Sequence, residues 1–590
     1  MRMKKSISTL LILVMSSFIL SSAGQADTPV AEQFVTPNQP GEGYFGYRSI
    51  PDFTLHFTSP VLMGMETTGD TANAVRSCNS LTDSKCANSN FWTFSTALDA
   101  CTTENSNNCI DAVTAVDASG KSLEVNLDQT FPGIRPQDYV GDNSQNLPNG
   151  GKVHFYSIPG APHAGGNLYV PIVLVDGNKE GSANSGSFKP GQIRIGFYAV
   201  TVINGKYDVK MRQTDVSRYN SRNMITTMGG EEKCIINDET ACALPQAIPL
   251  NIKFGMRIRT SFAVPGWFHG RFSDPEIKIS TDALKNTILD VAAHAVVTPV
   301  FALWKKKTDL PQSLLDFYKQ QPFPLGGTGS GAGDAVKQNG DPMSWSLMFD
   351  PVGYSQNDMA QFLQWLPVFG DKSTVEPTYW SMYADNGDIN SNRCSPGSDV
   401  LTGVVSTNAS QYISGPPQWD SNSQTLEYKV AAAHFTSTGE VFKGSYDLAI
   451  QSEYARCLYG FTKAPINATI SIISNSGDSA IVTTTVRESN NFLYLAAKGF
   501  TFSNPTIKVK LSQDAPPAPV VTPTPVATPT PVATPTPEPT ASAAPTTQPV
   551  APAPKPTVAS KKISITCVKG KTTKTVTAVK PTCPAGYKKK

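Results

Sequence analysis

Ala468-Thr469-Ile470-Ser471-Ile472-Ile473 and Ala480-Ile481-Val482-Thr483-Thr484-Thr485-Val486 stand on either side of Ser474-Asn475-Ser476-Gly477-Asp478. Both flanks are rich in β-branched residues, the composition of strands, and the residues between them are turn formers. The segment reads as a β-hairpin. Working outward, runs at 425–431, 441–451, 492–497 and 506–511 repeat the pattern at short intervals. Together they predict an antiparallel sandwich of about 100 residues.

Upstream the same reading continues at 168–175, 251–262 and 276–280. Ile203-Asn204-Gly205 separates 192–202 from 206–213, and Asn-Gly between alternating runs predicts a tight hairpin there. At 287–301 the apolar residues Leu289, Val291, Ala293, Ala295 and Val297 favour a strand, with a helix left open. Two short helices are expected. One starts at Pro311 ahead of Leu314, Leu315 and Tyr318; the other carries Met359, Phe362, Leu363 and Leu366 behind the capping candidate Asn357. With Trp365 and Trp380 nearby, these helices are expected to cover a sheet, and the aromatics read as core rather than as a sugar-stacking platform. The expected fold class is mainly β: antiparallel sandwich-like domains with few short helices, stabilised by disulfides, plus a disordered proline-rich stalk.

The cysteines are Cys78, Cys86, Cys101, Cys109, Cys234, Cys242, Cys394, Cys457, Cys567 and Cys583. Three successive pairs share a C-x7-C spacing, which in an exported chain reads as local disulfides clipping short loops. Sequential pairing of all ten is the expectation. The chain-entropy relation assigns about 2.6 kcal/mol to each short loop and about 4.3 kcal/mol to a Cys394–Cys457 bridge. Zinc is disfavoured, because C-x7-C is not C-x2-C and no histidine sits at ligand spacing.

Export itself is read from residues 1–26. Arg2, Lys4 and Lys5 precede an apolar run at 7–20, followed by small residues at Gly24 and Ala26, the order of parts in a secretory signal peptide. The run is shorter than the roughly 20 residues that span a bilayer, and no later stretch is apolar long enough to do so. Removal of the leader leaves 564 residues. The expected parts are a signal peptide at 1–26, an N-terminal β-rich region at 27–275, a mixed β and helical region at 276–395 and a C-terminal β-sandwich at 396–514. A Pro/Thr-rich linker at 515–557 and a basic cysteine-containing tail at 558–590 follow.

The linker holds 15 prolines in 43 residues and repeats Val-Ala-Thr-Pro-Thr-Pro at 526–531 and 532–537. Proline fixes φ and cannot donate to a ladder, so this is an extended spacer reaching up to about 130 Å. Charge is distributed just as unevenly. The formal total of +2 divides into +3 in the leader, −10 in 27–514 and +9 in 561–590, where nine lysines meet no acidic residue. Outside a cell such a module is suited to anionic envelope polymers held by salt-sensitive attraction. Nucleic acid is not an expected partner, since the chain is exported and Tyr587 is the only aromatic interleaved with the lysines.

No catalytic, cofactor-binding or metal-binding residue is nominated. The histidines His56, His154, His163, His269, His294 and His434 accompany no G-x-S-x-G and no H-E-x-x-H, and the glycine run at 326–333 lacks the spacing of a phosphate loop. His154 and His163 flank a Gly/Pro-rich turn across which they could meet on a metal, but two polar groups on a hairpin is the preferred reading. Asp388, Asn390, Asn392 and Asp399 mimic a calcium loop, yet Arg393 occupies the place where that loop needs glycine. Paired carboxylates for glycoside chemistry cannot be seen without distances.

Ile565-Thr566-Cys567-Val568-Lys569-Gly570-Lys571 and the closing Cys583-Pro584-Ala585-Gly586-Tyr587-Lys588-Lys589-Lys590 resemble a terminal module of exported actinobacterial proteins. Gly266-Trp267-Phe268-His269-Gly270-Arg271, Ala455-Arg456-Cys457-Leu458-Tyr459-Gly460-Phe461 and Gly499-Phe500-Thr501-Phe502-Ser503 resemble an uncharacterised secreted family of the same phylum. The resemblance implies export and a modular plan, and it brings no activity. The expected function is that of a secreted or cell-surface, cell-wall-associated, non-catalytic protein whose body is tethered through the stalk and tail. The alternatives are an exported glycan hydrolase and a carbohydrate-binding surface protein.

Overall fold

The structure, a computed structural model, describes residues 44–49, most of 60–513 and strands within 563–589. The longer stretches outside it are 1–43, 50–59, 132–138, 212–227, 321–345, 386–399 apart from Cys394, and 514–562. The leader, the proline-rich linker, the glycine run at 326–333, the calcium-like loop, His56 and Cys583 all fall outside the described residues. Two compact units are present, 1–516 and 517–590.

A sheet of 15 strands forms the centre of the first unit. Its order is Thr71–Ser77, Val61–Thr68, Phe91–Ala97, Leu168–Glu180, Lys189–Asn204, Ser381–Asp385, Gly266–Arg271, Leu401–Thr407, Lys443–Gln451, Phe492–Thr501 and Arg487–Ser489, with four further strands attached to the side of this path. Along the path only Gly266–Arg271 and Leu401–Thr407 run parallel. Strands from all three expected body regions pair in this sheet, so positions 275/276 and 395/396 do not coincide with a break between sheets.

The middle strands read as nearly unbroken apolar runs because both of their faces are covered. In Leu168–Glu180, Tyr169, Val173 and Val175 join one core while Val170 and Ile172 join another. Lys189–Asn204 repeats this with Ile193, Ile195 and Phe197 on the first side and Tyr198 and Val200 on the second. A sheet of five strands packs on the first side, in the order Ser273–Thr281, Thr287–His294, Lys253–Thr260, Cys109–Val116 and Asp99–Ala100. Phe254 of that sheet stacks on Phe197 with ring centroids 4.7 Å apart. The segment left open between strand and helix is thus a strand at Thr287–His294, paired along its length with Lys253–Thr260.

The predicted C-terminal sandwich uses two different sheets. Thr425–Ala431, Thr506–Gln513, Ile466–Ile473 and Ser479–Thr484 lie in a seven-stranded sheet, whereas Lys443–Gln451 and Phe492–Thr501 belong to the central one. Their inner faces share a core in which Leu426, Tyr428, Ile470 and Val509 meet Tyr446, Leu448, Ile450, Leu493 and Leu495. Strand alternation sends Ala449, Phe492 and Tyr494 to the opposite face, into the core shared with the five-stranded sheet. Three β layers therefore overlap at this end, and the parity of a residue decides which core it enters.

Helices Gln312–Gln320 and Gln356–Trp365 contribute to a smaller core around Tyr47, Phe301 and Phe362. Trp365 stacks on Tyr47 at 5.1 Å and Trp380 donates to the Ala293 carbonyl at 3.0 Å. Both tryptophans are buried core residues. Helix Gln356–Trp365 includes Asn357 in its first turn, so the predicted cap is displaced. A third helix, Ser452–Tyr459, has no counterpart among the sequence expectations; it ends at Gly460, whose φ of 70° supplies the left-handed C-terminal turn.

One expected hairpin is corrected. Lys189–Asn204 does not turn back at Asn204-Gly205; its far end pairs instead with Ala241–Gln246, Ile203 lying opposite Cys242. Neither Asn204 nor Gly205 adopts the positive φ that a tight Asn-Gly turn requires. The Cys234–Cys242 disulfide clips the incoming strand pair that takes this place.

Disulfides also join Cys78 to Cys86, Cys101 to Cys109 and Cys394 to Cys457. The last ties the third helix to the segment beyond Ser381–Asp385. Four disulfides suit an extracellular chain, since such bonds persist in oxidising compartments. Among the described residues no helix is long and apolar enough to cross a membrane. The second unit carries strands Ile563–Lys569, Thr572–Ala578 and Lys588–Lys589, the first of them central, with Cys567 opposite both Lys574 and Lys589.

Candidate functional site

Ser273–Thr281 is an edge strand of the five-stranded sheet, and its first residues are irregular. Ser273 pairs with His294 and Glu276 with Ala292, so three steps on one strand face two on the other. This bulge accommodates Pro275 and puts Asp274 at a φ of 49°, in the left-handed region. The Asp274 backbone N–H is thereby turned to the central sheet, where it donates to Asp447 Oδ1 at 3.2 Å.

Asp447 occupies an inward position of Lys443–Gln451, between Tyr446 and Leu448, and is 2% exposed. Its Oδ2 has no hydrogen-bond partner among the described residues. Around it opens a cleft of about 340 Å³ lined by Lys253, Asp274, Glu276, Asp447, Arg487 and Tyr494, among others. Lys498 Nζ donates to Asp274 Oδ1 at 2.7 Å, and Lys253 Nζ donates to Glu276 Oε1 at 2.7 Å. The Arg487 guanidinium lies 4.1 Å from the centre of the Tyr494 ring. Tyr494 Oη accepts from the Ile277 N–H at 3.1 Å and donates to the Ile277 carbonyl at 3.0 Å, which fastens the edge strand to the central sheet.

Electrostatics separate the carboxyls. Burial pushes Asp447 up to about 7; Lys498 pulls against this, and the neighbouring charge of Asp274 adds to it. His294, on the strand paired with the bulge, is held below its ordinary value by burial and by Lys253. Glu276 is shared with a second cleft of about 300 Å³ whose lining includes Arg257, Lys278, Asp290 and Asn490. Chemically the arrangement offers one carboxyl raised to about 7, beside two more exposed carboxylates each paired with a lysine.

A second polar cluster lies elsewhere in the first unit. His154 Nε2 is hydrogen-bonded to Asp99 Oδ1, and His154 Nδ1 shares a 3.1 Å hydrogen bond with Thr130 Oγ1. Burial acts to raise the Asp99 carboxyl, but His154 and backbone donors at Ala100 and Lys152 bring it below its ordinary value. Thr130 belongs to Asn126–Thr130, every residue of which is exposed. The order hydroxyl, imidazole, carboxylate is present, and here it joins the Asn126–Thr130 and His154–Ser157 strands to Asp99.

The structure keeps His154 and His163 on separate partners: His163 Nε2 bonds the Leu168 carbonyl at 3.1 Å and its Nδ1 accepts from the Gly165 N–H at 3.2 Å. No group of three or more His, Cys, Asp or Glu able to hold a metal occurs among the described residues. Eight of the ten cysteines form the four body disulfides. Asp274, Glu276 and Asp447 escaped sequence reasoning, the first and last being 173 positions apart. One signal was available: a carboxylate at an inward position of a strand covered on both faces is a rare placement. No family model matches this sequence, and comparison with curated proteins returns no match.

Proposed function

We propose that this is a secreted, envelope-associated, non-catalytic protein whose disulfide-braced β body is displayed on the proline-rich stalk and retained by the lysine-rich tail. The observation that carries the reading is the division of the chain: a body with four disulfides and a charge of −10 joined by a proline-rich segment of zero net charge to a tail of +9. A compact polycation is attracted to anionic wall polymers, and a body of opposite sign is repelled by them, so the spacer separates two parts with opposed preferences. Isolated cell walls incubated with the full chain test this. The reading expects retention at low salt that falls steeply as ionic strength rises, and loss of retention when 558–590 is deleted. Equal retention of the tail-less chain overturns it.

A second reading, an exported glycan hydrolase, is favoured by one feature: burial raises the Asp447 carboxyl to about 7 beside Asp274, the direction a general acid beside a second carboxylate needs. Its test is turnover of polysaccharides and peptidoglycan that disappears in Asp447→Asn.

A further inference from the structure

We propose that the cleft between Ser273–Thr281 and the central sheet binds one unit of a neutral polyhydroxylated ligand, of the pyranose class, with Asp447 Oδ2 taking one of its hydroxyls. The proposal deepens the reading above, in which the body is the displayed part, by giving that body a ligand class.

The argument begins with Asp447. The side chain is nine-tenths or more buried and lines the cleft, one oxygen being fixed by the Asp274 N–H and the other lacking a partner among the described residues. A buried polar atom without a partner costs roughly 1–3 kcal/mol, which a ligand atom of the right kind recovers on binding. Either state of the carboxyl can be answered by a hydroxyl, since a hydroxyl both donates and accepts. A metal cation or an ammonium group answers only the ionised state.

Charge points the same way. Three carboxyls, Asp274, Glu276 and Asp447, stand among three cations, Lys253, Arg487 and Lys498, and the two more exposed carboxylates are already ion-paired. With cations and carboxylates matched to within one charge, the cleft has little field to concentrate an ion. It does present donors, Lys253 and Arg487, beside acceptors, Asp274 and Glu276, and a hydroxyl can answer either kind. A volume of about 340 Å³ is at the small end of ligand sites and suits one ring rather than an extended chain. Tyr494, which lines the cleft, holds the edge strand to the central sheet through both polar groups of Ile277.

The test uses the full chain and a panel of neutral oligosaccharides built from glucose, galactose, mannose and N-acetylglucosamine, titrated to millimolar concentration by calorimetry. At least one is expected to bind saturably. Asp447→Asn and Glu276→Gln are each expected to weaken it about tenfold or more, in line with loss of a hydrogen bond to a charged group. Glu276 is solvent-facing, so Glu276→Gln keeps the test meaningful if Asp447→Asn folds poorly. Deletion of 558–590 is expected to leave this binding unchanged, which distinguishes failure of the cleft from failure of tail retention. Absence of saturation with every sugar, or affinity unaltered in both variants, overturns the proposal.

Discussion

Asp99 and Asp447 are both partly or wholly withdrawn from water, and they respond in opposite directions. Asp99 sits beside His154 and two backbone donors, and its carboxyl is held below the ordinary range. Asp447 is more deeply buried, receives one backbone N–H, and is pushed up to about 7 with Lys498 acting only in part against burial. The difference teaches what burial alone does not determine. Desolvation penalises both charges, and the partners supplied to the ionised form decide whether the penalty is offset. The Asp99 carboxylate is answered by His154 and backbone donors, whereas Asp447 Oδ2 has no hydrogen-bond partner among the described residues.

The largest test of that contrast is the pH dependence of Asp447→Asn. A carboxyl whose folded value is raised binds more protons folded than unfolded from about pH 4 to about pH 7, so its contribution to stability falls as pH rises through that window. Thermal unfolding of Asp447→Asn is therefore expected to match wild type below about pH 4 and to exceed it above pH 7, by on the order of 4 kcal/mol. Equal differences at both pH values would break the contrast. Tyr494→Phe comes next, with an expected loss of about 2 kcal/mol, because two polar groups of Ile277 at a sheet edge lose their partner.

Asp99→Asn is smaller, an expected loss of about 1 kcal/mol at pH 7 from one weakened charge-assisted hydrogen bond. Its sign with pH is opposite: a depressed folded value stabilises above the unfolded one and is lost as pH falls through the folded one, so the deficit should shrink in strong acid. Urea titrations at pH 7 and pH 3 measure it. Smallest is Glu276→Gln, whose pair with Lys253 is largely solvated and should change stability by less than about 0.5 kcal/mol while still weakening sugar binding.

Much of the fold was legible because alternation is a local signal. Ile466–Ile473 and Thr506–Gln513 follow their period-2 pattern closely. The two-sided strands Leu168–Glu180 and Lys189–Asn204 were legible as strands, but their sheet neighbours were not. Asn204-Gly205 carries a strong turn preference, and a disulfide-clipped partner overrode it. Helix Ser452–Tyr459 was missed because Gln451 provides no side-chain cap and a strand runs directly into it; Gly460 was the usable clue. The cleft was illegible for a different reason. Asp274 and Asp447 meet only because a bulge in one sheet faces an inward position of another, and neither spacing nor motif records that meeting.

The most direct measurement titrates wild type, Asp447→Asn and Asp99→Asn with the same neutral oligosaccharides under one set of conditions. The account predicts saturable binding to wild type, weakening of about tenfold or more in Asp447→Asn, and an unchanged affinity in Asp99→Asn. Equal affinities in all three proteins, or no saturable binding to any of them, would contradict it.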